Sequence, residues 1–386
     1  MLFTTPDLGD VELAVIARIE DLRRDLRYQV SGHPRRWAGS LRRAMFARAL
    51  RGSNTIAGYD VNLADAMALA EGEVPLDAVE ETRQAIAGCR DAMTYVLQLA
   101  DDPHFAYSDG LVRSLHFMMM KYDMSKGPGL WRPGPVYVHN EPTGQIVYEG
   151  PDSSQVPVLM GELIEALRTE DDVPALVRAA MAHLNFVMVH PFRDGNGRMA
   201  RILQSLVLAH EGILAPEFAS IEEYLGKRTQ DYYDVLAAVG GGRWLPQRDA
   251  GPWVRFCLTA HFRQAHTLSR RVVQSEKLWT LLTGLVEQHG LPERAVLALF
   301  DAAQGFRVKN TAYQEHADIS EHAGGRDLKR LVDVGLLEPR GEKRGRYYVG
   351  TKDLLAAAQP ALDARRDWER EDPFEAQQTT LELVAD

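Results

Sequence analysis

The sequence predicts a mainly α-helical protein with one small β-hairpin in its middle and a smaller helix-and-strand module near its C-terminal end. Three observations carry this. Apolar residues recur at steps of three and four through most of the chain, the spacing of a helix face. The pattern breaks over 127–151, where Pro128, Pro133, Pro135, Pro142 and Pro151 surround two β-branched runs. It changes again beyond about 290, where three short helical patterns precede two strand-like runs. The chain of 386 residues is 45% hydrophobic and 25% charged, ordinary globular values that suit two or three domains.

Taken in order, residues 8–30 place Leu8, Val11, Val15, Ile19, Leu22 and Leu26 on one helical stripe. Residues 36–51 and 62–71 read as helices, and 76–101 as a long one with Pro103 soon after. Val136-Tyr137-Val138 and Ile146-Val147-Tyr148 flank the turn Glu141-Pro142-Thr143-Gly144, a hairpin signal. Helical patterns return at 155–168 and 174–189, from about Asn196 to His210, near 229–238 and over 251–285. Residues 293–303, 311–317 and 321–334 suit three further helices, with Asn310 or Thr311 capping the second and Ser320 the third. Leu336-Leu337-Glu338 and Tyr347-Tyr348-Val349 suit strands around Gly341-Glu342-Lys343-Arg344-Gly345. The polar tail is expected to fray. The expected division is a helical N-terminal region 1–108, a core 109–245, connecting helices 246–289, a small module 290–355 and a tail 356–386.

The net charge of -10 disfavours wholesale binding to nucleic acid or anionic membrane. Cys89 and Cys257 lie far apart and form neither a disulfide framework nor a zinc spacing. The first residues lack the basic-then-apolar layout of a signal peptide, and no apolar run approaches the roughly 18 residues of a membrane span. A soluble cytoplasmic protein is expected.

The most informative stretch is His190-Pro191-Phe192-Arg193-Asp194-Gly195-Asn196-Gly197-Arg198-Met199-Ala200-Arg201. His190 precedes a proline, which biases it out of the helix and marks the end of 174–189. Its imidazole suits a general base for a hydroxyl nucleophile. Asp194 offers hard oxygens to Mg²⁺. Gly195 and Gly197 are expected to turn the backbone with φ > 0, and their N–H groups open a helix whose start favours an anion. Arg198 and Arg201 share a face of that helix and can grip successive phosphates. A nucleoside triphosphate is the ligand this set would hold.

The string resembles the motif H-x-F-x-[DE]-G-N-G-R-x-x-R of the Fic family at every specified position. That family mostly transfers AMP from ATP to a Ser, Thr or Tyr hydroxyl of a target protein. The resemblance implies a helical Fic core with a hairpin flap. It implies His190 as the base, Phe192 as a core anchor and Asp194 as the Mg²⁺ ligand. It implies Gly195, Asn196 and Gly197 as the anion hole, and Arg198 and Arg201 as ligands of the β- and γ-phosphates. The related Doc branch carries lysine in place of the second glycine and moves phosphate, so Gly197 argues for AMP. The hairpin 136–148 resembles the flap on which a target segment adds as a strand. Val156-Pro157-Val158-Leu159-Met160 is similar to the helix start after the flap. Glu223-Tyr224 and Tyr232-Tyr233 resemble the segment beside the adenosine pocket, with core packing as an equal reading for those tyrosines. Val239-Gly240-Gly241 stands where some relatives carry an asparagine. ATP is the expected nucleotide, with UTP, GTP and CDP-choline not separated from it by the motif.

Many Fic proteins restrain themselves through [ST]-x-x-x-E-[GN], whose glutamate pairs with the second arginine. Ser53-Asn54-Thr55-Ile56-Ala57-Gly58 resembles that frame, with Ser53 and Gly58 in place and Ala57 at the glutamate position. A methyl group cannot pair with Arg201. The chain lost its restraint naturally, carries an activating substitution, or matches the frame through a coincidental helix. The expectation is AMP transfer without an activator, including onto the chain itself, and poor AMP removal. Thr311-Ala312-Tyr313-Gln314-Glu315 has the same spacing but lacks the following Gly or Asn.

Residues 311–349 resemble a winged helix-turn-helix. Arg326, Lys329, Arg330, Arg340, Lys343, Arg344 and Arg346 outnumber the acids among them, which suits phosphate contacts. Gly324 and Gly325 stand where base-reading side chains belong, so protein interaction or a homodimer is favoured over DNA. Two classes of function are carried: a Mg²⁺-dependent protein adenylyltransferase, and a DNA-binding regulator whose Fic domain only senses nucleotide.

Overall fold

A computed structural model describes residues 1–31, 36–139, 144–169, 172–210, 212, 215–363 and 371–375. The expected turn at Glu141-Pro142-Thr143 lies outside them, as does the side chain of Arg344. The N-terminal region forms α1 (Asp10–Ser31), α2 (Ala38–Ile56), α3 (Leu63–Ala70) and α4 (Glu80–Leu99). The α2 helix outruns the expected 36–51, so Ser53 lies within it and Ala57 ends it. Asn62 starts α3 by accepting the Asp65 N–H at 2.8 Å.

Next comes α5 (Asp109–Met120), which the sequence reading passed over. Its signals were local: Ser108 accepts the Leu111 N–H at 3.1 Å, and Val112, Leu115, His116, Met119 and Met120 form its buried stripe. The hairpin follows as β1 (Tyr137–His139) and β2 (Ile146–Glu149), antiparallel, with Val138 opposite Tyr148 and a register shift at Val138/His139. Tyr148 turns inward and its hydroxyl donates to Met188 O at 2.8 Å, which fixes the hairpin to the core.

The centre consists of α6 (Val156–Arg168), α7 (Ala175–Val189) and α8 (Asn196–His210). Nearly all of α7 is buried, as its Ala, Leu, Val and Met composition on every face requires. Its buried polar groups are satisfied. His183 Nδ1 donates to Gln204 Oε1 at 2.7 Å, and the Tyr232 hydroxyl bonds His183 Nε2 at 3.0 Å. Asn185 holds the backbone of Phe3 through bonds of 2.8 and 3.2 Å, which pins the first residues to the core.

The short helices α9 (Pro216–Ala219) and α10 (Glu222–Lys227) lead to α11 (Thr229–Gly240). The expected connecting helices are one element, α12 (Gly251–Gln288), about 57 Å long at 1.5 Å per residue. It packs along α1 and carries Trp253, whose indole donates to Ala180 O at 2.7 Å.

The C-terminal module comprises α13 (Ala295–Ala303), α14 (Asn310–Ala317), α15 (Glu321–Asp333), the antiparallel pair β3 (Leu337–Arg340) and β4 (Tyr347–Gly350), and α16 (Lys352–Leu362). Ser320 caps α15 as expected, accepting the Ala323 N–H at 3.4 Å. Neither Asn310 nor Thr311 caps α14, because Lys309 occupies the cap position without a side-chain bond. Gly324 lets α15 approach α14: a Cβ there would lie 2.4 Å from Asn310 Oδ1. The α16 helix runs into the stretch expected as tail, because Leu354, Ala358 and Ala361 are buried. No helix among the described residues is long and apolar enough to cross a membrane.

Candidate functional site

The loop 190–201 joins the two central helices, α7 and α8. His190 ends α7 in the left-handed conformation, φ 51°, with its N–H bonded to Phe186 O at 3.0 Å. Its Nδ1 lies 3.0 Å from Val187 O, a group that only accepts, so Nδ1 carries the hydrogen and Nε2 keeps its lone pair. Burial pushes the ring down to about 4, with the Arg132 charge acting in the same direction. At neutral pH the side chain is an uncharged imidazole, ready to accept a proton at Nε2.

Arg132, which the sequence reading did not single out, holds this end of the loop. It is buried, and its guanidinium donates to His190 O at 2.8 Å, Gly134 O at 2.7 Å and Pro151 O at 2.5 Å. Its own N–H bonds Pro191 O at 2.9 Å. One side chain thus ties His190 to both roots of the hairpin. His116 was also missed. Its Nδ1 accepts the Gly129 N–H at 2.8 Å, so Nε2–H donates to Asp194 O at 3.0 Å. Its ring stacks on Phe192 at 3.6 Å, and burial lowers it to about 4. A lone histidine or arginine carries no motif, so sequence alone offered no signal for either.

Phe192 is fully buried, as expected. The Asn196 side chain bonds both Phe192 N–H and Phe192 O at 2.9 Å. It therefore closes the loop, and only its backbone N–H remains for an anion. Gly195 has the expected positive φ, 76°, and a Cβ there would lie 2.7 Å from Met119 Cε. Gly197 does not: it sits within the first turn of α8 with no positive φ. A Cβ there would make only ordinary contact with Arg201 Nη1, at 3.5 Å, so neither φ nor packing within the chain demands glycine. The first N–H groups of α8 have no partner within the helix.

Both arginines are buried to 2% exposure. Arg201 Nε donates to Ser53 Oγ at 2.9 Å and Nη2 to Ser53 O at 2.7 Å. Arg198 lies over the Tyr59 ring at 5.1 Å and points Nη2 at Met120 Sδ, 3.0 Å away. Arg198 Nε and Nη1 and Arg201 Nη1 have no hydrogen-bond partner among the described residues. Buried donors of this kind, beside the start of a helix, can receive an anion. Asp194 takes the Gly195 N–H on Oδ1 at 2.6 Å and holds Oδ2 3.7 Å from Lys126 Nζ. No group of three or more metal-ligating side chains exists among the described residues. A lone accessible carboxylate fits Mg²⁺, which keeps waters and takes phosphate oxygens for its other positions.

Ala57 is exposed at the end of α2, and Gly58 follows with φ 83°. The expected adenosine-side tyrosines separate. Tyr232 is buried, its hydroxyl on His183 and its ring 5.9 Å from the Arg201 guanidinium. Tyr233 is 46% exposed, and its hydroxyl donates to Ile56 O at 2.8 Å, beside Ala57. Glu223 is buried in an ion cluster with Arg271 at 2.6 Å and Lys227 at 2.8 Å, which locks α10 to α12. Of the basic residues in the C-terminal module, Arg326 and Lys329 are exposed, while Arg330 donates to Gly290 O at 2.6 Å.

This arrangement of buried histidine, glycine turn and two buried arginines coincides with a family match. Residues 107–208 match the Fic/DOC family. The chain carries a Fic domain. Over 78 residues it is 33% identical to a probable protein adenylyltransferase of Aquifex aeolicus, covering 20% of this chain and 24% of that one. Over 206 residues it is 29% identical to the protein adenylyltransferase Fic of Culex quinquefasciatus, covering 52% and 37%. The matches therefore span well under half the length of these relatives. A Fic family protein from Desulfovibrio desulfuricans G20 shares the fold over 94% of this chain and 99% of its own, with TM-score 0.58 at 22% identity. Fic-1 from C. elegans covers 69% of this chain and 74% of its own, with TM-score 0.53 and 22% identity. The Fic domain occupies α5 to α8, and the fold likeness extends beyond it to both flanking regions.

Proposed function

We propose that this chain transfers AMP from ATP to a hydroxyl group of a protein, itself included. The observation that carries the reading is the set of unpartnered, buried guanidinium nitrogens on Arg198 and Arg201 beside the start of α8. They lie one loop away from a neutral imidazole. In this reading the triphosphate lies along the α8 N-terminus, with β- and γ-phosphates on the arginines. His190 Nε2 removes the proton as the hydroxyl oxygen bonds to the α-phosphorus. The bond from that phosphorus to the bridging oxygen breaks, and pyrophosphate leaves with it. Mg²⁺ held by Asp194 would supply charge neutralisation for the departing phosphates. The hairpin offers the target a strand edge, since β1 pairs with β2 alone among the described residues.

With Ala57 in place of a carboxylate, Arg201 is free of an intramolecular anion and is steadied by the neutral Ser53. This supports transfer without an activator. The test is incubation with α-labelled and γ-labelled ATP, using the native chain and His190→Ala. Label from the α position alone, lost in the variant, is the expected result. Label from the γ position would replace AMP transfer by phosphate transfer. No label in either protein would favour a nucleotide sensor.

A further inference from the structure

The C-terminal module takes no part in that chemistry, yet it is fastened to the helix that holds Arg201. Phe306, between α13 and α14, is 2% exposed and forms a small apolar cluster with Ala44 and Ala47 of α2 and Met67 of α3. Around this plug lie ion pairs between the same elements. Arg43 of α2 sits 3.3 Å from Asp301 of α13 and 3.3 Å from Glu71 just past α3. Lys309 pairs with Glu73 at 2.7 Å, and Arg307 pairs with the buried Asp65. The first half of α2 is therefore held by the module. Its last turn presents Ser53 to Arg201.

Between these points α2 has little freedom. Gly52 is pressed so closely on α10 that a Cβ would lie 2.2 Å from Glu222 O. Ala44 and Ser53 are about 14 Å apart along the axis at 1.5 Å per residue. A helix packed on this scale moves as a rod, and bonds of 2.7 and 2.9 Å to Arg201 do not survive a shift of an ångström.

We propose that the C-terminal module is a positioning element for the nucleotide grip. Phe306 and the Arg43–Asp301 pair set α2, and α2 sets Arg201 through Ser53. The inference rests on the reading of Arg201 as a phosphate ligand. A guanidinium already oriented by two bonds loses less freedom when phosphate arrives, so a docked module tightens nucleotide binding. A partner that pulled the module away would weaken it. The loss falls on nucleotide affinity and KM, because His190 is held by other elements.

The experiment measures ATP affinity of the full chain by calorimetry, with melting in the absence of nucleotide as the check on folding. Phe306→Ala should bind about tenfold more weakly. Ser53→Ala should show a similar loss, and the double variant should bind no more weakly than Ser53→Ala. Losses that multiply in the double variant would overturn the proposal, as would unchanged affinity in Phe306→Ala. If Phe306→Ala does not fold, Phe306→Leu replaces it with a smaller loss in the same direction. The Arg201 Nε–H signal, shielded by Ser53, reports the coupling without nucleotide. Lost shielding in the Phe306 variant, with no ATP bound by any protein, would sink the nucleotide reading and sustain the coupling. Retained shielding would sink the coupling.

Discussion

The two ends of the loop 190–201 are held by different means. The His190 end is fixed through main-chain atoms: Arg132 gathers the carbonyls of His190, Gly134 and Pro151, and the imidazole bonds Val187 O. The arginine end is held by side chains from elsewhere, Ser53 of α2 and Met120 of α5, and three of its donors remain open. His190 is thus set through main-chain atoms gathered by one arginine, whereas Arg198 and Arg201 are set by side chains and main chain of α2 and α5. Control over this site therefore enters most readily at the arginines, where the chain can alter α2 without disturbing the proton acceptor.

The sharpest way to break that contrast is Arg132→Met. The variant removes the donor to three carbonyls and leaves both arginines untouched. AMP transfer at saturating ATP should fall about 100-fold, the scale of a misplaced general base, with ATP affinity unchanged. An equal loss of affinity would show that the two ends are not independent. The next effect is smaller. Ala57→Glu adds a carboxylate four residues beyond Ser53, whose hydroxyl and carbonyl already hold Arg201. Transfer should drop about tenfold through weaker γ-phosphate binding. Unchanged incorporation of α-labelled ATP would remove Ala57 from the account.

The same contrast explains what could be read from the sequence. The left-handed turn at Gly195, the burial of Phe192 and the end of α7 at His190 follow from residues within the string, so these features were legible there. The expected φ > 0 at Gly197 was wrong because α8 has already begun there, and a Cβ would meet Arg201 Nη1 only at an ordinary 3.5 Å. Asn196 carries a side-chain duty, closing the loop on Phe192, that a motif read for ligand contacts does not express. Arg132 and His116 act across 58 and 78 residues of sequence, where no spacing rule applies. The α5 helix was legible from Ser108 and its apolar stripe. The joining of the C-terminal module to α2 and α3 was not, because its residues are ordinary charges and one phenylalanine.

A third test concerns the base end alone. His190 is pushed down to about 4, chiefly by burial. A depressed imidazole gives the fold stability that is present above the ordinary 6.5 and is lost as pH falls towards 4. The neutral, proton-accepting form persists over that same range. The kcat/KM for transfer should therefore stay level from neutral to about pH 5, where an ordinary histidine would already have lost most of its base form. Circular dichroism across the range separates the limb from unfolding. A limb centred at 6.5 would show that burial does not govern the titration of His190.

The smallest effect lies at the far end of α2 and sharpens the other half of the comparison. Burial raises Glu71 to about 7, and Asp301, Glu73 and Glu315 push the same way against the opposing Arg43. His316 lies 3.8 Å away but is itself lowered to about 4 by burial, so it brings no positive charge at neutral pH. A raised carboxyl favours the fold while protonated. Its contribution is complete below 4.5 and is lost as pH rises through about 7. Glu71→Gln keeps the shape without the charge. It should raise stability at pH 8 by about 1–2 kcal/mol and change it little at pH 5. Thermal unfolding at the two pH values measures this. An equal gain at both would assign the change to packing. A gain confined to pH 8 would mean that charge at the junction of α2, α3 and the C-terminal module opposes docking. The arginine end of the loop would then loosen with rising pH while the His190 end stays fixed.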